Sequence, residues 1–159
     1  MKFNKPNFWD FNKPNFLAKI LLPFTIPIII NNLLPKKKFY KKNIKTICVG
    51  NIYLGGTGKT PISIKIHKIL KKLSYKVAFI KKNYPNQKDE QSLLKKNGWL
   101  FNKNTRLESL NKAISKKINY AIFDDGLQDK NINYDITIVC FNSKNSIGNG
   151  QLIPSGPLR

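Results

Sequence analysis

Val49-Gly50-Asn51-Ile52-Tyr53-Leu54-Gly55-Gly56-Thr57-Gly58-Lys59-Thr60-Pro61 is the stretch whose reading decides the fold. An apolar run over residues 44–49 leads into it. Ile62, Ile66, Ile69, Leu70 and Leu73 lead out at helical spacing, with lysines on the other faces. Strand, glycine-rich turn and helix in that order form a phosphate-binding loop: small residues let backbone N–H groups converge on an anion, and the helix start adds its positive dipole end. Lys59 supplies a point charge for the β/γ-phosphates, and the Thr60 hydroxyl is a magnesium ligand. Gly55, Gly56, Thr57 and Gly58 form the cradle. The usual spacing would put a glycine at position 53, where this chain has Tyr53.

Downstream, residues 75–80 read as a second strand and residues 81–88 as the polar loop at its C-terminal end, the edge where open parallel sheets bind ligands. Asp89 and Glu90 open a helix, where carboxylates favour the dipole and serve equally well as catalytic groups. Leu107, Leu110, Ala113 and Ile114 mark a further helix, with Arg106 near its start. Residues 118–126, Ile-Asn-Tyr-Ala-Ile-Phe-Asp-Asp-Gly, are an apolar strand ending in two acids. This is the form of a Walker B element, and it places Asp124 and Asp125 at the metal of a bound nucleotide. Residues 135–141 read as one more buried strand, and residues 148–159 as a Gly/Pro-rich loop.

Composition narrows the partners. The formal charge of +21 invites a nucleic-acid reading, yet the excess is nearly all lysine, spread along the chain beside abundant Asn. Arg106 and Arg159 are the only arginines, whereas base readout and bidentate phosphate recognition favour arginine. No stacking platform or recognition helix is visible, so no nucleic-acid partner is expected. Cys48 and Cys140 sit singly in apolar runs, as buried thiols of a reducing compartment. The single histidine, His67, reads as a solvent-facing helix residue.

The N-terminal region has a character of its own. Phe3-Asn4-Lys5-Pro6-Asn7-Phe8 recurs as Phe11-Asn12-Lys13-Pro14-Asn15-Phe16, and these aromatics together with Trp9 suit a membrane–water interface. Residues 16–34 are mostly apolar but are interrupted by Lys19, Pro23, Pro27, Asn31 and Asn32. A clean bilayer crossing needs about 20 apolar residues, so the segment reads as interfacial. Lys36, Lys37, Lys38, Lys41, Lys42 and Lys45 follow, as in a segment held against anionic headgroups. The alternative is a core-packing helix followed by a solvated linker. No cleavage site of a removed signal peptide is evident. The expected architecture is therefore α/β and P-loop NTPase-like: a mostly parallel sheet flanked by helices over residues 44–159, preceded by a membrane-associated helical segment over residues 1–43.

Three stretches together resemble the tetraacyldisaccharide 4′-kinase family, the lipid A kinases of Gram-negative bacteria: residues 49–61, Asp124-Asp125-Gly126-Leu127-Gln128, and Gly148-Asn149-Gly150-Gln151-Leu152-Ile153-Pro154-Ser155-Gly156-Pro157-Leu158-Arg159. That family's loop also lacks the first glycine. The resemblance implies ATP and Mg²⁺ as cofactors, and an acylated glucosamine disaccharide phosphate as the acceptor of the γ-phosphate at its 4′-hydroxyl. It also implies a place on the anionic lipid surface of the inner membrane, at its cytoplasmic face. In this reading Asp89 matches the family's catalytic acid–base Asp. Lys59 and Arg106 join it in catalysis, Gln128 and Arg159 attend the nucleotide, and Thr60, Asp124 and Asp125 hold the metal. The chain departs from the pattern at Lys81-Lys82-Asn83-Tyr84, where the family has Ser-Arg-Gly-Tyr, and at Asp129, where it has His. Family members are roughly twice as long, and a catalytic His lies in their second half. The alternative expectation is a nucleotide-binding fragment or shortened relative without kinase activity.

Overall fold

The computed structural model describes residues 5–34, 43–55, 57–129, 131–144 and 146–159. Contacts group the chain into two units, each assembled from separated stretches. One comprises Met1–Pro35, Asn51–Thr57 and Phe141–Arg159, and the other Lys36–Gly50 and Gly58–Cys140.

The second unit carries the sheet. Strands β1 (Lys45–Gly50), β2 (Val77–Ile80), β3 (Trp99–Phe101), β4 (Tyr120–Asp124) and β5 (Ile136–Val139) are all parallel, in the order β3-β2-β4-β1-β5. Helices α3 (Lys59–Lys72), α4 (Lys88–Asn97) and α5 (Arg106–Ser115) make the crossovers from β1 to β2, β2 to β3 and β3 to β4. Side chains alternate between two cores. Cys48, Ala78, Ile80, Ala121 and Phe123 meet Leu110 and Ala113 of α5 on one face. Ile47, Val49, Val77, Phe79 and Ile122 meet Ile64 and Leu70 of α3 and Leu94 of α4 on the other. Burial on both faces explains why β1, β2 and β4 read as continuous apolar runs instead of alternating ones. Asp135 ties β5 to β1 by accepting hydrogen bonds from the Thr46 backbone N–H (2.6 Å) and hydroxyl (3.0 Å).

Two expectations about this unit are corrected. β5 is not buried: it is an edge strand, and Ile136 is 52% exposed. Helix α3 does not turn Ile62, Ile69 and Leu73 inward. These are exposed, and Thr60, Ser63 and His67 are buried in their place. His67, only 3% exposed, stacks on Phe79 with ring centroids 4.6 Å apart, so it is not a solvent-facing histidine. The two hydroxyls on the same face satisfy a carboxylate described below.

The first unit contains a short 3₁₀ turn at Asn7–Asp10 and an interrupted helical run. This run consists of α1 (Phe16–Leu21), capped by the Asn15 side chain on Ala18 N–H, a 3₁₀ turn at Leu22–Thr25, and α2 (Ile26–Leu33). Pro23 and Pro27 are the second residues of their elements, in the first turn where a missing N–H costs nothing. Phe16, Leu17, Ile20, Phe24, Ile26, Ile30 and Leu33 are exposed, and the run Phe16–Leu33 is long and apolar enough to cross a membrane by length and composition. Trp9 is not an exposed interfacial aromatic. It is buried, and its indole N–H donates to the Pro154 carbonyl at 3.1 Å. Ser155 donates to the Ala18 carbonyl at 2.6 Å, and Asn149 donates to the Ser155 carbonyl at 3.0 Å. The basic residues Lys36, Lys37, Lys38, Lys41 and Lys42, and Gly56 of the phosphate loop, lie outside the described residues.

Candidate active site

Strand register builds the centre of the site. β2 pairs with β4 so that Ile80 lies opposite Phe123. One residue further on, Lys81 and Asp124 emerge side by side from the C-terminal edge of the sheet. Asp124 is 0% exposed and Lys81 1%, and Lys81 Nζ lies 2.7 Å from Asp124 Oδ2. The same ammonium pairs with Glu90 on the first turn of α4, whose side chain is 49% exposed. Burial alone would push the Lys81 pKa down, but the charge and hydrogen bonds of Asp124 and Glu90 outweigh it and hold the ammonium above its ordinary value. Removing one partner of such a buried pair costs about 3–5 kcal/mol, because the other charge is left uncompensated.

Helix α3 closes on the same carboxylate. Its N-cap, Gly58, has φ 73°, a left-handed conformation that favours glycine, and open space surrounds the position where a Cβ would be. Lys59, half-buried, is the first helical residue. Thr60 Oγ1 reaches Asp124 Oδ2 at 3.4 Å and Ser63 Oγ reaches Asp124 Oδ1 at 3.2 Å. A hydroxyl and a carboxylate converging at a helix start suit Mg²⁺, which takes few protein oxygens and keeps phosphate and water as its remaining ligands. Among the described residues no group of three His, Cys, Asp or Glu side chains could hold a metal by itself. A cation here would therefore depend on phosphate oxygens as well.

The turn after β4 is braced from beneath. Asp125 has φ 60° and its N–H donates to the Val49 carbonyl at 2.8 Å. Its carbonyl accepts from the Arg106 guanidinium at 2.5 Å, and Arg106 also lies 3.9 Å from Asp129 Oδ2. Arg106 is buried, and its Nε has no hydrogen-bond partner among the described residues. Asp129, at the family's His position, thus faces the arginine as a counter-charge. Gly126 is required by close approach: a Cβ there would stand 2.9 Å from Tyr134 Oη and 3.0 Å from Cys48 Sγ. Burial pushes the Cys48 thiol up to about 12, so it is an inert core group, as expected from the sequence.

In the first unit the loop stretch from Asn51 to Gly55 is splinted by the C-terminal strip. Leu54 N–H donates to the Pro157 carbonyl (2.9 Å), Arg159 N–H to the Ile52 carbonyl (3.0 Å), and the Arg159 guanidinium to Asn51 Oδ1 (2.7 Å). Asn51 Nδ2 in turn holds the Tyr53 and Gly55 carbonyls. Tyr53 is buried, with its hydroxyl between Asp10 and Lys5. A large residue at position 53 is an anchor in this loop. Thr57 Oγ1 is buried with no hydrogen-bond partner among the described residues, as a loop that receives a polar ligand would leave it.

The structure thus brings Thr60 and Asp124 together and adds Lys81 and Ser63, which sequence reasoning did not assign to the site, and Glu90, which it weighed only beside Asp89 as a helix-start carboxylate. Asp89 is exposed on the first turn of α4 and makes no hydrogen bond or ion pair among the described residues. Gln128 is exposed on the turn after β4.

A model of the tetraacyldisaccharide-1-P 4′-kinase family, LpxK, matches residues 20–159. The chain belongs to this family. A tetraacyldisaccharide 4′-kinase of Pelagibacter ubique is 58% identical over 160 residues, covering 100% of this chain and 51% of that protein. One of Rickettsia canadensis is 34% identical over 179 residues, covering 100% and 54%. The fold is that of the LpxK of Aquifex aeolicus, solved in an "apo" form in complex with ATP, with a TM-score of 0.66 and 22% identity over 91% of this chain and 51% of that one. The chain spans about half the length of the LpxK relatives it matches. The P-loop NTPase-like parallel sheet expected from residues 49–61 and 118–126 is the fold observed.

Proposed function

We propose that this chain is the nucleotide-binding part of a tetraacyldisaccharide 4′-kinase, which transfers the γ-phosphate of ATP to the 4′-hydroxyl of an acylated glucosamine disaccharide 1-phosphate. The observation that carries this reading is the convergence of Thr60 and Ser63, at the start of α3, on the buried carboxylate of Asp124. A helix start that presents N–H groups and a hydroxyl beside a strand-end acid is the arrangement by which phosphate and its metal are held.

In this reading the backbone of Gly55, Gly56, Thr57 and Gly58 cradles the phosphates, Lys59 neutralises charge on the transferring group, and Gln128 and Arg159 attend the nucleotide. Thr60, Asp124 and Asp125 would hold Mg²⁺, which, when bound, neutralises phosphate charge. Asp89 takes the proton of the attacking 4′-hydroxyl as the new P–O bond forms and ADP leaves. Arg106 serves catalysis by holding the Asp125 carbonyl, which fixes the turn that presents both acids. The exposed apolar side chains of Phe16–Leu33 lie in the headgroup region of an anionic membrane, at the cytoplasmic face where an acylated acceptor is met.

Labelled ATP and the disaccharide acceptor test the reaction. Transfer that falls at least a hundredfold in Lys59→Ala and Asp89→Ala supports it. Undiminished transfer in both variants would sink the residue roles, and Mg-ATP binding without transfer would leave a nucleotide-binding module.

A further inference from the structure

We propose that Lys81 is a built-in cation of the Asp124 site, neutralising this carboxylate while no metal is bound and moving over to Glu90 when a divalent cation enters with nucleotide. The inference rests on reading Thr60 and Asp124 as the metal site.

Both carboxylate oxygens of Asp124 are engaged. Oδ2 receives Lys81 Nζ at 2.7 Å and Thr60 Oγ1 at 3.4 Å, and Oδ1 receives Ser63 Oγ at 3.2 Å. A carboxylate with no exposure needs a compensating charge at all times, whether or not ligand is present. Lys81 supplies it through register alone, since the residue after Ile80 on β2 must stand abreast of the residue after Phe123 on β4.

That same contact conflicts with direct metal binding. Magnesium sits about 2.0–2.1 Å from its oxygens, and an ammonium on the same Oδ2 would be a like charge pressed against it. The lysine has somewhere to go. Glu90 is already paired with Nζ, is about half exposed and stands on a helix start, so transfer needs only rotation of a flexible four-carbon stem. Arginine, with its rigid fork, would not make that exchange as readily. The consequence is coupling: the metal binds weakly to the nucleotide-free chain, because it must displace Lys81, and firmly once phosphate oxygens complete its shell. By linkage the nucleotide gains the same factor from the metal.

Mn²⁺ titrated into the nucleotide-free chain and followed by electron paramagnetic resonance reads this directly. Lys81→Met is expected to bind Mn²⁺ at least tenfold more tightly than wild type. Glu90→Gln, which removes the alternative partner and leaves the buried pair intact, is expected to bind it several-fold more weakly. A folded Lys81→Met with unchanged or weaker Mn²⁺ affinity would overturn the inference. Should Lys81→Met not fold, an unchanged affinity in Glu90→Gln overturns it alone. ATP affinity of the wild type with and without Mn²⁺ separates the two levels. ATP binding indifferent to the metal removes the metal-site reading and this inference together, whereas metal-dependent binding beside an unmoved Lys81→Met removes only the role of Lys81.

Discussion

Helix α3 and the helical run Phe16–Leu33 contradict hydropathy in opposite ways. α3 buries Thr60, Ser63 and His67 and leaves Ile62 and Ile69 exposed, as is Leu73 just past its end, at 61%. The N-terminal run buries only Ala18 and Thr25 and exposes nearly all its large apolar side chains. In α3 the buried hydroxyls of Thr60 and Ser63 are rewarded by Asp124, and the buried His67 ring by stacking on Phe79. The N-terminal run has no such internal reason. A large exposed apolar surface of this kind marks an interaction site. Buried polarity in one helix and exposed hydrophobicity in the other therefore both point to function, and both are tested by substitution.

The largest effect is expected at Ser63. Leucine there would overpack a fully buried position and take a hydrogen bond from a buried carboxylate, a loss of about 2–6 kcal/mol summed from typical values. Urea denaturation checks it, and a loss below 1 kcal/mol would mean that the hydroxyl face of α3 is incidental. Gly98→Ala comes next. Its backbone is extended, so only space matters, and a Cβ would stand 2.4 Å from His67 Nε2. Because the ring is held against Phe79, a loss of about 1–3 kcal/mol is expected in the same assay.

A smaller effect follows from protonation. Burial first, and the nearby Lys71 second, hold the His67 pKa below its ordinary 6.5. The unfolded chain therefore takes up this proton before the folded one does. The contribution to stability is complete above pH 6.5 and is lost as pH falls toward the folded value, with a slope of at most about 1.4 kcal/mol per pH unit. Melting temperatures between pH 7.5 and 5.5 should drop less in His67→Phe than in the wild type; parallel curves would refute the assignment. Least change in stability, within about 0.5 kcal/mol, is expected for Phe24→Ser and for Ile69→Ser, both exposed. Sedimentation with anionic vesicles separates these two, since only Phe24→Ser should weaken association.

What was legible in the sequence followed from local chemistry. β1, β2 and β4 stand out because both their faces are buried, and Gly58-Lys59-Thr60 and Asp124 because a glycine turn before a helix and an acid at a strand end are local patterns, which the fold brings together. Apolar spacing locates only part of the burial face of α3: Ile66 and Leu70 do pack inward, but a carboxylate from β4 and a ring from β2 draw Ser63 and His67 in and leave Ile62 and Ile69 outside. β5 was misread because its apolar composition is that of a central strand although it lies at the edge. Lys81 was visible only as a departure from a family motif; its pairing with Asp124 depends on the alignment of two strands some forty residues apart, which no local pattern encodes. The burial of Trp9 likewise depends on Pro154.

The splint on the loop at Asn51–Gly55 has a consequence for how this chain is made. Pro157 and Arg159 reach that stretch across about a hundred residues of sequence. On the ribosome, synthesis is vectorial, and Asn51, Ile52 and Leu54 emerge long before the groups that hold them. The parallel strands up to Val139 can already pair while the loop lacks these three hydrogen bonds. Its final shape is thus a late acquisition of the nascent chain, completed only when Arg159 has cleared the exit tunnel.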